Sequence, residues 1–440
     1  MESPEVRPNI IFIVADDLGY ADLGCYGGRD AGFGAVSPVL DRLAADGLLF
    51  TDGYSNSPVC SPTRFALATA RYQYRLRGAG EEPLHGSAAQ RLGLPPSHPT
   101  VASLLRDAGY RTALVGKWHM GNPPDFGPLQ SGYQEFFGPL SGGVDYWTHC
   151  NPGGRHDLWL GDVQAPQEGY LTDLLSRRAV DYIDRMADAH APFFLSIHYT
   201  APHWPWETRD DPDAAQQVAG KLYHLDGGNV ETYRRMVHHM DEGIGWVMDA
   251  LRRHGMEKDT LVVFTSDNGG ERFSDNWPLV GGKMDLTEGG IRVPWIAHWP
   301  AFIEPGAVCA QHCMTMDWAA TVLAAAGVPP HPQYPLDGVS LLPVLQHPES
   351  AFARPMYWRM KHRNQRALRD GDWKYLRVDE HDYLFNVATD ARERANLASR
   401  HPDRLERMRA DWQSWNAAMP EVPADAAVTL VYTSQDMPQR

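Results

Sequence analysis

The sequence predicts an α/β fold in which helices sandwich a large mixed, mostly parallel sheet, followed by a smaller antiparallel sheet with a terminal helix. Two observations predict this. Strand-like and helix-like segments alternate over the first three quarters of the chain, and hairpin signals replace them after about residue 345. We therefore expect a large α/β domain over residues 1–345 and a small C-terminal subdomain over residues 346–440.

Five segments of the first part have the character of buried strands: N-I-I-F-I-V, T-A-L-V-G, P-F-F-L-S-I-H-Y, T-L-V-V-F-T-S and V-P-W-I-A-H-W. Several are continuous β-branched or aromatic runs, which is typical of strands covered on both faces. Helical patterns lie between them at Pro38 to Asp46, Thr100 to Ala108, Leu171 to Ala189, Glu231 to His254 and Asp317 to Ala326. Ligands bind such sheets at the carboxyl ends of the strands, so residues that directly follow these strands are site candidates.

The C-terminal part has a different pattern. The run A-L-R-D-G-D-W-K-Y-L-R-V predicts two short strands around an Asp-Gly turn. The segment D-Y-L-F-N-V follows, and a charged helix is predicted from about Pro402 to Ala417. Together they predict a small antiparallel sheet with a helix that packs on the first domain.

Composition limits the class of partner and the location. A formal net charge of −15 argues against nucleic acid or an anionic membrane as the main partner. The longest apolar runs are strand-sized, so no membrane-spanning segment is expected. The polar start M-E-S-P-E-V-R-P and five scattered cysteines favour a cytoplasmic protein, or a periplasmic or secreted one if a signal segment had been removed. Nothing in the sequence predicts the oligomeric state.

Hard oxygen ligands follow two of the predicted strands. Asp16 and Asp17 come directly after the first strand, and Asp267 and Asn268 come directly after T-L-V-V-F-T-S. Alone, the first pair is also compatible with a solvated turn. Together, two buried-type strands that end in oxygen donors indicate a divalent metal site, with calcium favoured over zinc and magnesium as the alternative.

A cysteine begins the helical run C-S-P-T-R-F-A-L-A-T-A. Ser61 is a good N-cap and Pro62 fits the first turn. Cys60 would then lie at the positive end of a helix beside Arg64, where an anion is stabilised. The alternative is a structural, partly buried cysteine.

The ordered motifs resemble a known family. C-S-P-T-R resembles the C-x-P-x-R signature of type I (formylglycine-dependent) sulfatases, which are arylsulfatase-like members of the alkaline phosphatase superfamily. The resemblance extends from residue 9 to about residue 398 and also includes A-D-D-L-G-Y, G-K-W-H-M-G, A-P-H-W-P-W, S-D-N-G-G, G-G-K-M-D-L-T-E-G-G-I-R-V-P and G-D-W-K-Y. It implies an alkaline phosphatase-like fold and a sulfuric ester hydrolase.

Carried over position by position, the resemblance implies the site residues. A separate maturation enzyme would oxidise Cys60 to formylglycine. The metal ligands would be Asp16, Asp17, Asp267, Asn268 and the modified Cys60. The residues around the sulfate would be Arg64, Lys117, His119, His203 and Lys283. Considered singly, the two lysines could be solvated loop residues and His203 a capped loop histidine.

The implied chemistry uses a hydrated aldehyde. Asp267 would accept a proton from one hydroxyl of the diol, and the resulting alkoxide would attack sulfur in line. Arg64, Lys117 and Lys283 would stabilise the sulfate oxygens together with the metal. His203, aided by Lys283, would protonate the departing alcohol, and His119 would deprotonate the second hydroxyl so that sulfate is expelled.

Substrate and rival functions stay open at this stage. A further polar contact to the sulfate is expected from Ser141, Asp145 or His149, and the sequence does not choose among them. Tryptophans flank the motifs, at positions 147, 159, 204, 206 and 277, which suits a carbohydrate or aryl sulfate. The alternatives are a phosphonate monoester or phosphodiester hydrolase of the same superfamily and a non-catalytic glycan-binding homologue.

Overall fold

The computed structural model describes residues 7–28, 34–76, 84, 91–189, 191–213, 227–424 and 426. A ten-stranded mixed sheet forms its centre, helices cover both faces of this sheet, and a four-stranded antiparallel sheet follows near the C-terminus. This confirms the predicted fold class.

The large sheet has the strand order β11-β2-β10-β9-β1-β8-β4-β5-β6-β7. Strands β9, β1, β8, β4 and β5 are parallel neighbours, whereas β10 runs antiparallel to both β9 and β2. A separate pair joins β3 to β12. The strands are β1 (Asn9–Ala15), β2 (Leu48–Phe50), β3 (Gly53–Tyr54), β4 (Arg111–Gly116), β5 (Glu135–Gly138), β6 (Trp159–Leu160), β7 (Val163–Gln164), β8 (Phe193–His198), β9 (Thr260–Ser266), β10 (Trp295–His298), β11 (Ala307–Cys309) and β12 (Cys313–Met314).

Helices α1 to α8 accompany this sheet, and α9 follows the second one. They are α1 (Pro38–Ala45), α2 (Cys60–Thr69), α3 (Val101–Asp107), α4 (Leu171–Ala189), α5 (Val230–Arg253), α6 (Glu288–Ile291), α7 (Thr315–Ala325), α8 (Leu342–Gln346) and α9 (Pro402–Ala417). Among the residues described, no helix combines the length and apolar character that a membrane span requires.

Side chains of β1 alternate between two hydrophobic cores. Ile10, Phe12 and Val14 pack with residues of α3 and α7, whereas Ile11 and Ile13 pack with residues of α1, α4 and α5. Successive side chains of a strand point to opposite faces, so a strand apolar at every position must be covered on both sides. The continuous apolar run therefore explains the three-layer arrangement.

The predicted helices agree with the observed ones to within two residues at each end, and α4 and α9 have the predicted bounds. Thr100 lies just outside α3 because its hydroxyl accepts a hydrogen bond from the Ser103 amide (2.9 Å), as an N-cap does. The short strands β2 and β5 were not predicted, and neither was the strand Met356–Met360 of the second sheet. With three and four residues, β2 and β5 are too short to show a periodic pattern, and pairing with their neighbours holds them in the sheet.

The second sheet has the order β13-β14-β15-β16, with strands Met356–Met360, Gln365–Asp370, Trp373–Val378 and His381–Asn386, all antiparallel. One face packs on the first domain around Tyr54 and Met316, and the other packs on Met408 and Trp412 of α9. The division after residue 345 stays a prediction. That residue lies within α8, ahead of the first strand of this sheet.

Candidate active site

The candidate residues meet at the carboxyl edge of the large sheet. Ala15 of β1 pairs with Ser266 of β9, so Asp16 and Asp267, the next residues of two parallel strands, leave the sheet side by side. Lys117 follows β4, and the segment that contains His203 follows β8. Parallel strands that end together deliver their following loops to one place, and this explains how distant motifs converge.

The end of β4 requires a glycine. Gly116 has φ of 115°, and a Cβ there would overlap the carbonyl oxygen of His198. This close approach lets the Lys117 amide donate to the same oxygen at 2.8 Å. Gly116 therefore fixes the direction in which the Lys117 side chain leaves the sheet.

We expect Gly116→Ala to lower the free energy of unfolding well beyond the cost of its backbone angle. Gly109→Ala is the matched control, since Gly109 has φ of 93° with open space around it. The control should cost about 1 kcal/mol, and Gly116→Ala should cost at least about 2 kcal/mol more because of the backbone overlap. Urea unfolding of the two variants measures this, and equal costs would contradict the packing argument.

Helix α2 begins at Cys60, which is 2% exposed. The prediction that Ser61 is the N-cap was wrong. The cap position is Val59, and the Ser61 hydroxyl instead accepts a hydrogen bond from the Leu84 amide at 2.7 Å. Pro62 lies in the first turn as predicted, and Cys60 lies at the positive end of the helix, with Arg64 one turn further.

Carboxylates surround the Cys60 thiol. Ligand atoms of Asp16, Cys60 and Asp267 lie within 4.8 Å of one another, and those of Asp16, Asp17 and His203 do likewise. All five residues are buried. Within the described part of the chain, Asp16 Oδ1 and Asn268 Oδ1 are buried without a hydrogen-bond partner. Buried oxygens that lack donors are suited to a cation, so this cluster can hold a metal ion.

The pKa values of these carboxyls reflect their crowding. Burial raises the pKa of Asp267 to about 7, and the neighbouring charge of Asp16 adds to the rise. Burial alone would also raise the pKa of Asp17, but the charge of Lys283 outweighs it and holds that pKa well below its usual range. Asp267 is thus the carboxyl that the neighbouring negative charge crowds, and a bound cation would relieve that repulsion.

Three cationic side chains line the same cluster. Arg64 Nη2 lies 2.8 Å from Asp267 Oδ2 and 3.6 Å from Asp16 Oδ2. Lys117 Nζ donates to Asp16 Oδ2, and Lys283 Nζ lies 2.7 Å from Asp17 Oδ2. These are the local positive charges that an anionic substrate needs in a protein of net charge −15.

The two histidines are neutral but present different nitrogens. Burial, and then the charge of Lys283, lowers the pKa of His203 to about 3. Its Nδ1 lies 2.6 Å from the Trp204 carbonyl, so Nδ1 is the donor, and the unprotonated Nε2 lies 3.6 Å from Asp17 Oδ2. Burial, and then Lys117, lowers the pKa of His119 well below its usual value.

His119 has the opposite tautomer. Its Nε2 lies 2.7 Å from the Leu84 carbonyl and is therefore the donor, which leaves a lone pair on Nδ1. That Nδ1 is buried without a protein partner among the described residues. His119 can accordingly accept a proton at Nδ1, whereas His203 has no proton on the nitrogen that lies near Asp17.

The three polar candidates of the following loop differ in their partners. Asp145 Oδ1 accepts from the amides of Trp147 and Thr148 at 2.9 and 2.6 Å, and His149 Nε2 lies 3.0 Å from the Gly169 carbonyl. Ser141 bonds through its amide to Asp157, and its hydroxyl lies 3.4 Å from Asn151 Nδ2. Asp145 and His149 therefore hold the loop itself.

The segment that starts at Ser141 packs against both histidines. A Cβ on Gly142 would overlap the His119 ring, and one on Gly143 would lie 3.2 Å from Cε1 of His203. Two successive glycines thus let this backbone lie against the site. That one of Ser141, Asp145 and His149 contacts the sulfate stays a prediction, and Ser141 is the one of the three that directly precedes this glycine pair.

Two residues of the site were not predicted. Glu271 Oε2 lies 3.5 Å from Lys283 Nζ, and His198 Nδ1 lies 3.3 Å from Arg64 Nη1. Each lies next to a predicted feature, Glu271 after S-D-N-G-G and His198 at the end of a predicted strand. A single acidic or imidazole side chain in either position forms no sequence pattern that would have predicted its place in the site.

Comparison with known proteins shows the family of this chain. The family model described as Sulfatase matches residues 8–328, and a second, described as N-sulphoglucosamine sulphohydrolase, C-terminal, matches residues 282–408. Human N-acetylgalactosamine-6-sulfatase is 35% identical over 360 residues, which is 77% of this chain and 66% of that protein. The chain thus spans slightly less than two thirds of that relative's length.

Two further similarities cover more of the compared proteins. Human arylsulfatase A is 35% identical over 370 residues, 77% of this chain and 68% of that protein. The crystal structure of Ps i-CgsB in complex with k-i-k-neocarrahexaose has a TM-score of 0.82 and 32% identity and covers 93% of both chains. Since one family model spans most of the chain and includes every candidate site residue, this chain belongs to the sulfatase family.

Proposed function

We propose that this protein hydrolyses sulfate esters to an alcohol and inorganic sulfate, with a formylglycine made from Cys60 as the nucleophile. One observation supports it above the others: the Cys60 thiol lies at a helix N-terminus beside Asp16 and Asp267, with Arg64 and Lys117 on the same cluster. An anionic ester needs such positive charge around a nucleophile at its sulfur.

The environment of Cys60 disfavours the unmodified residue as nucleophile. Burial raises the pKa of the thiol, and the carboxylates of Asp16 and Asp267 oppose the lysines that would lower it. A thiol is a poor nucleophile in its protonated form. A formylglycine at this position would supply a hydrated aldehyde, which has one hydroxyl to attack sulfur and a second through which sulfate can leave. A separate maturation enzyme would make it.

Calcium is the metal that the ligand set favours. Asp16, Asp17, Asp267 and Asn268 offer only oxygen atoms, which calcium and magnesium prefer and zinc does not. Four protein donors with two buried free oxygens suit the larger, less geometrically demanding ion. Bound there, the ion would lower the pKa of a hydroxyl on residue 60 and offset the carboxylate charge.

The side chains of this chain divide the remaining work. Arg64, Lys117 and Lys283 bind the sulfate oxygens, and the Ser141 hydroxyl adds a polar contact from the loop beside the histidines. His119 accepts a proton at Nδ1 from the hydroxyl of residue 60 that does not attack. Since Nε2 of His203 has no proton to give, Lys283 donates the proton to the departing alcohol, and His203 orients it.

A sugar sulfate is the substrate class that we propose. Among the five tryptophans near the motifs, Trp204 and Trp206 are buried, whereas Trp277 is 58% exposed. Trp277 lies on the loop between Asn268 and Lys283, which Asn276 ties to the Gly270 and Gly281 carbonyls. The Arg392 guanidinium lies 4.4 Å from the centroid of this exposed indole, so the opposite face is the one that would stack on a sugar ring.

The function is tested with protein coexpressed with a formylglycine-generating enzyme. Peptide mass spectrometry of the segment around Cys60 should show the thiol replaced by an aldehyde. Sulfate release should then be measured on an aryl sulfate, on sulfated sugars, and on phosphodiester and phosphonate monoester analogues of the same alcohol. We expect the sulfate esters to react faster than their phosphorus analogues. A fully converted protein that prefers the phosphodiester would contradict the proposal.

Removal of the metal provides a further prediction. A chelator should lower both activity and thermal stability, and calcium should restore both, because Asp16, Asp17 and Asp267 repel one another when no ion is bound. At a calcium concentration 100 times the dissociation constant, binding stabilises the folded state by about 2.7 kcal/mol. Thermal unfolding with and without chelator measures this.

The control for metal binding is Asp16→Ala, which should unfold at the same temperature with and without calcium. A wild-type melting temperature that does not respond to chelator, with full activity retained, would contradict the assigned ligands. Magnesium that restores activity as well as calcium does would contradict only the choice of ion.

A further inference from the structure

His198 lies directly behind Arg64, away from the carboxylates. It is the last residue of β8 and is 2% exposed. Its Nδ1 lies 3.3 Å from Arg64 Nη1 and 3.2 Å from the Lys117 carbonyl, to which Arg64 Nη1 also donates at 3.2 Å. Nη2 of the Arg64 guanidinium thus faces Asp267 and Asp16, and Nη1 faces His198.

The chemistry of Arg64 fixes the tautomer of His198. His198 Nδ1 lies near both a donor, Arg64 Nη1 at 3.3 Å, and an acceptor, the Lys117 carbonyl at 3.2 Å. That carbonyl already accepts from Arg64 Nη1, and a hydrogen bond from a charged donor is the stronger one, so we assign the lone pair of the ring to Nδ1. Burial, and then the charge of Arg64, lowers the pKa of His198 well below its usual value, which keeps the ring neutral. The single ring proton is therefore on Nε2.

A small cavity lies behind this pair. It is lined by Arg64, Ser131 and His198 together with Thr100, Trp118 and Tyr133. The volume that the centre of a water molecule can occupy in it is about 10 Å³. In the described part of the protein, Arg64 Nε, His198 Nε2 and Ser131 Oγ are all buried without a protein partner. Most of the other lining side chains are apolar, so these two N–H donors and this hydroxyl are the groups that would hold a water molecule there.

We propose that His198 is a positioning residue: its Nδ1 accepts a hydrogen bond from Arg64, while one cavity water accepts from Arg64 Nε and His198 Nε2, and together they fix the plane of the guanidinium. The inference rests on the proposed function for its effect on catalysis. Arg64 Nη2 can contact the sulfate only if the guanidinium keeps its orientation while substrate competes with Asp267 and Asp16 for that nitrogen. Nη1 is held on the opposite side by the Lys117 carbonyl and by His198 Nδ1. Support from behind supplies the missing constraint.

The kinetic test compares His198→Leu with His198→Asn in mature enzyme on one aryl sulfate. We expect His198→Leu to lower kcat/KM about 10-fold to 100-fold, the range typical of partners that orient a site residue. His198→Asn should recover part of this loss, because its amide oxygen can accept from Arg64. Melting temperatures of both variants show that the comparison is between folded proteins.

The same substitution in an Arg64→Lys background separates positioning from a general structural role. If His198 acts through Arg64, His198→Leu should change kcat/KM of Arg64→Lys by no more than about twofold, because the partner it orients is gone. An equal loss in both backgrounds would overturn the proposal, and so would no loss in the wild-type background.

A second readout needs no turnover. Nitrogen-15 NMR of labelled histidine should show His198 as the neutral Nε2–H tautomer at pH 7, and its Nδ1 signal should change in Arg64→Lys. An Nδ1–H tautomer would overturn the proposal. If the mature protein failed to hydrolyse sulfate esters while this tautomer was present, the proposed function would be wrong and the Arg64–His198 arrangement would stand.

Discussion

Cys60→Ser is expected to reduce steady-state sulfate release on the order of 1,000-fold or more, while the protein stays folded. Losses of this size or larger follow removal of an enzymatic nucleophile. Serine has nearly the shape of cysteine and is compatible with the first turn of α2, where residue 60 lies. Serine has only one hydroxyl. Once that hydroxyl is sulfated, no second hydroxyl can expel the sulfate, and release requires the slower attack of water on sulfur.

Two measurements check this prediction. Initial rates on an aryl sulfate should fall as stated, and intact mass spectrometry of Cys60→Ser after incubation with substrate should detect a sulfated protein. The matched control is Cys25→Ser, a half-buried cysteine outside the site, which should keep the wild-type rate. Turnover of Cys60→Ser at the wild-type rate would exclude the aldehyde as a requirement.

Much of the fold followed from the sequence because its strands are buried on both faces. A run such as Ile10 to Ala15 must be covered twice, and the helical patterns between such runs supply the cover. The short strands β2, β5 and β13 could not be predicted in this way, since their pairing depends on neighbours distant in the chain. The antiparallel direction of β10 likewise depends on the path of the chain between β9 and β10.

The sequence predicted which residues form the site, but not how the protons are placed on its histidines. Adjacent parallel strands that end in Asp16 and Asp267 explain why their oxygens meet, and this could be inferred from the strand pattern. The tautomers of His119 and His203 could not, because carbonyl groups of Leu84 and Trp204 determine them. The role of His203 as proton donor to the departing alcohol stays a prediction, and the Nδ1 contact to the Trp204 carbonyl is the reason why we propose Lys283 for that step instead.

The motifs T-E-G-G and G-D-W-K-Y both belong to the set that carries the family resemblance, but only the structure shows that they contact each other. Glu288 of the first motif lies 2.9 Å from Lys374 of the second. Both are fully buried between the two sheets. Arg369 and Arg292 lie 3.4 and 3.5 Å from the same carboxylate, and the Tyr54 hydroxyl donates to it at 2.7 Å.

We expect Glu288→Gln to lower the free energy of unfolding by about 3–5 kcal/mol, the cost of breaking a buried ion pair from one side. Lys374 keeps Glu393 at 2.8 Å, and Arg369 and Arg292 keep Asp52 at 3.0 and 3.3 Å. The loss of Glu288 therefore leaves three cations with two carboxylates, an unbalanced charge in a buried place. Glu135→Gln is the matched control. Glu135 binds Arg185 at 2.7 Å, but its side chain is 35% exposed, so its loss should cost at most about 1 kcal/mol.

The change of this stability difference with pH provides a second, independent test of the prediction. Burial alone would raise the pKa of Glu288, but Lys374, Arg369 and Arg292 outweigh it and hold that pKa at about 2, against an ordinary value of 4.5. A carboxyl with a lowered pKa stabilises the folded state fully above the unfolded value and loses that contribution as the pH falls toward the folded one. The stability difference between wild type and Glu288→Gln should therefore be constant near neutral pH and shrink between about pH 4.5 and pH 2. Urea unfolding of both proteins across this range measures it, and a difference that stays constant down to pH 2 would show that Glu288 is not held as a carboxylate by its buried cations.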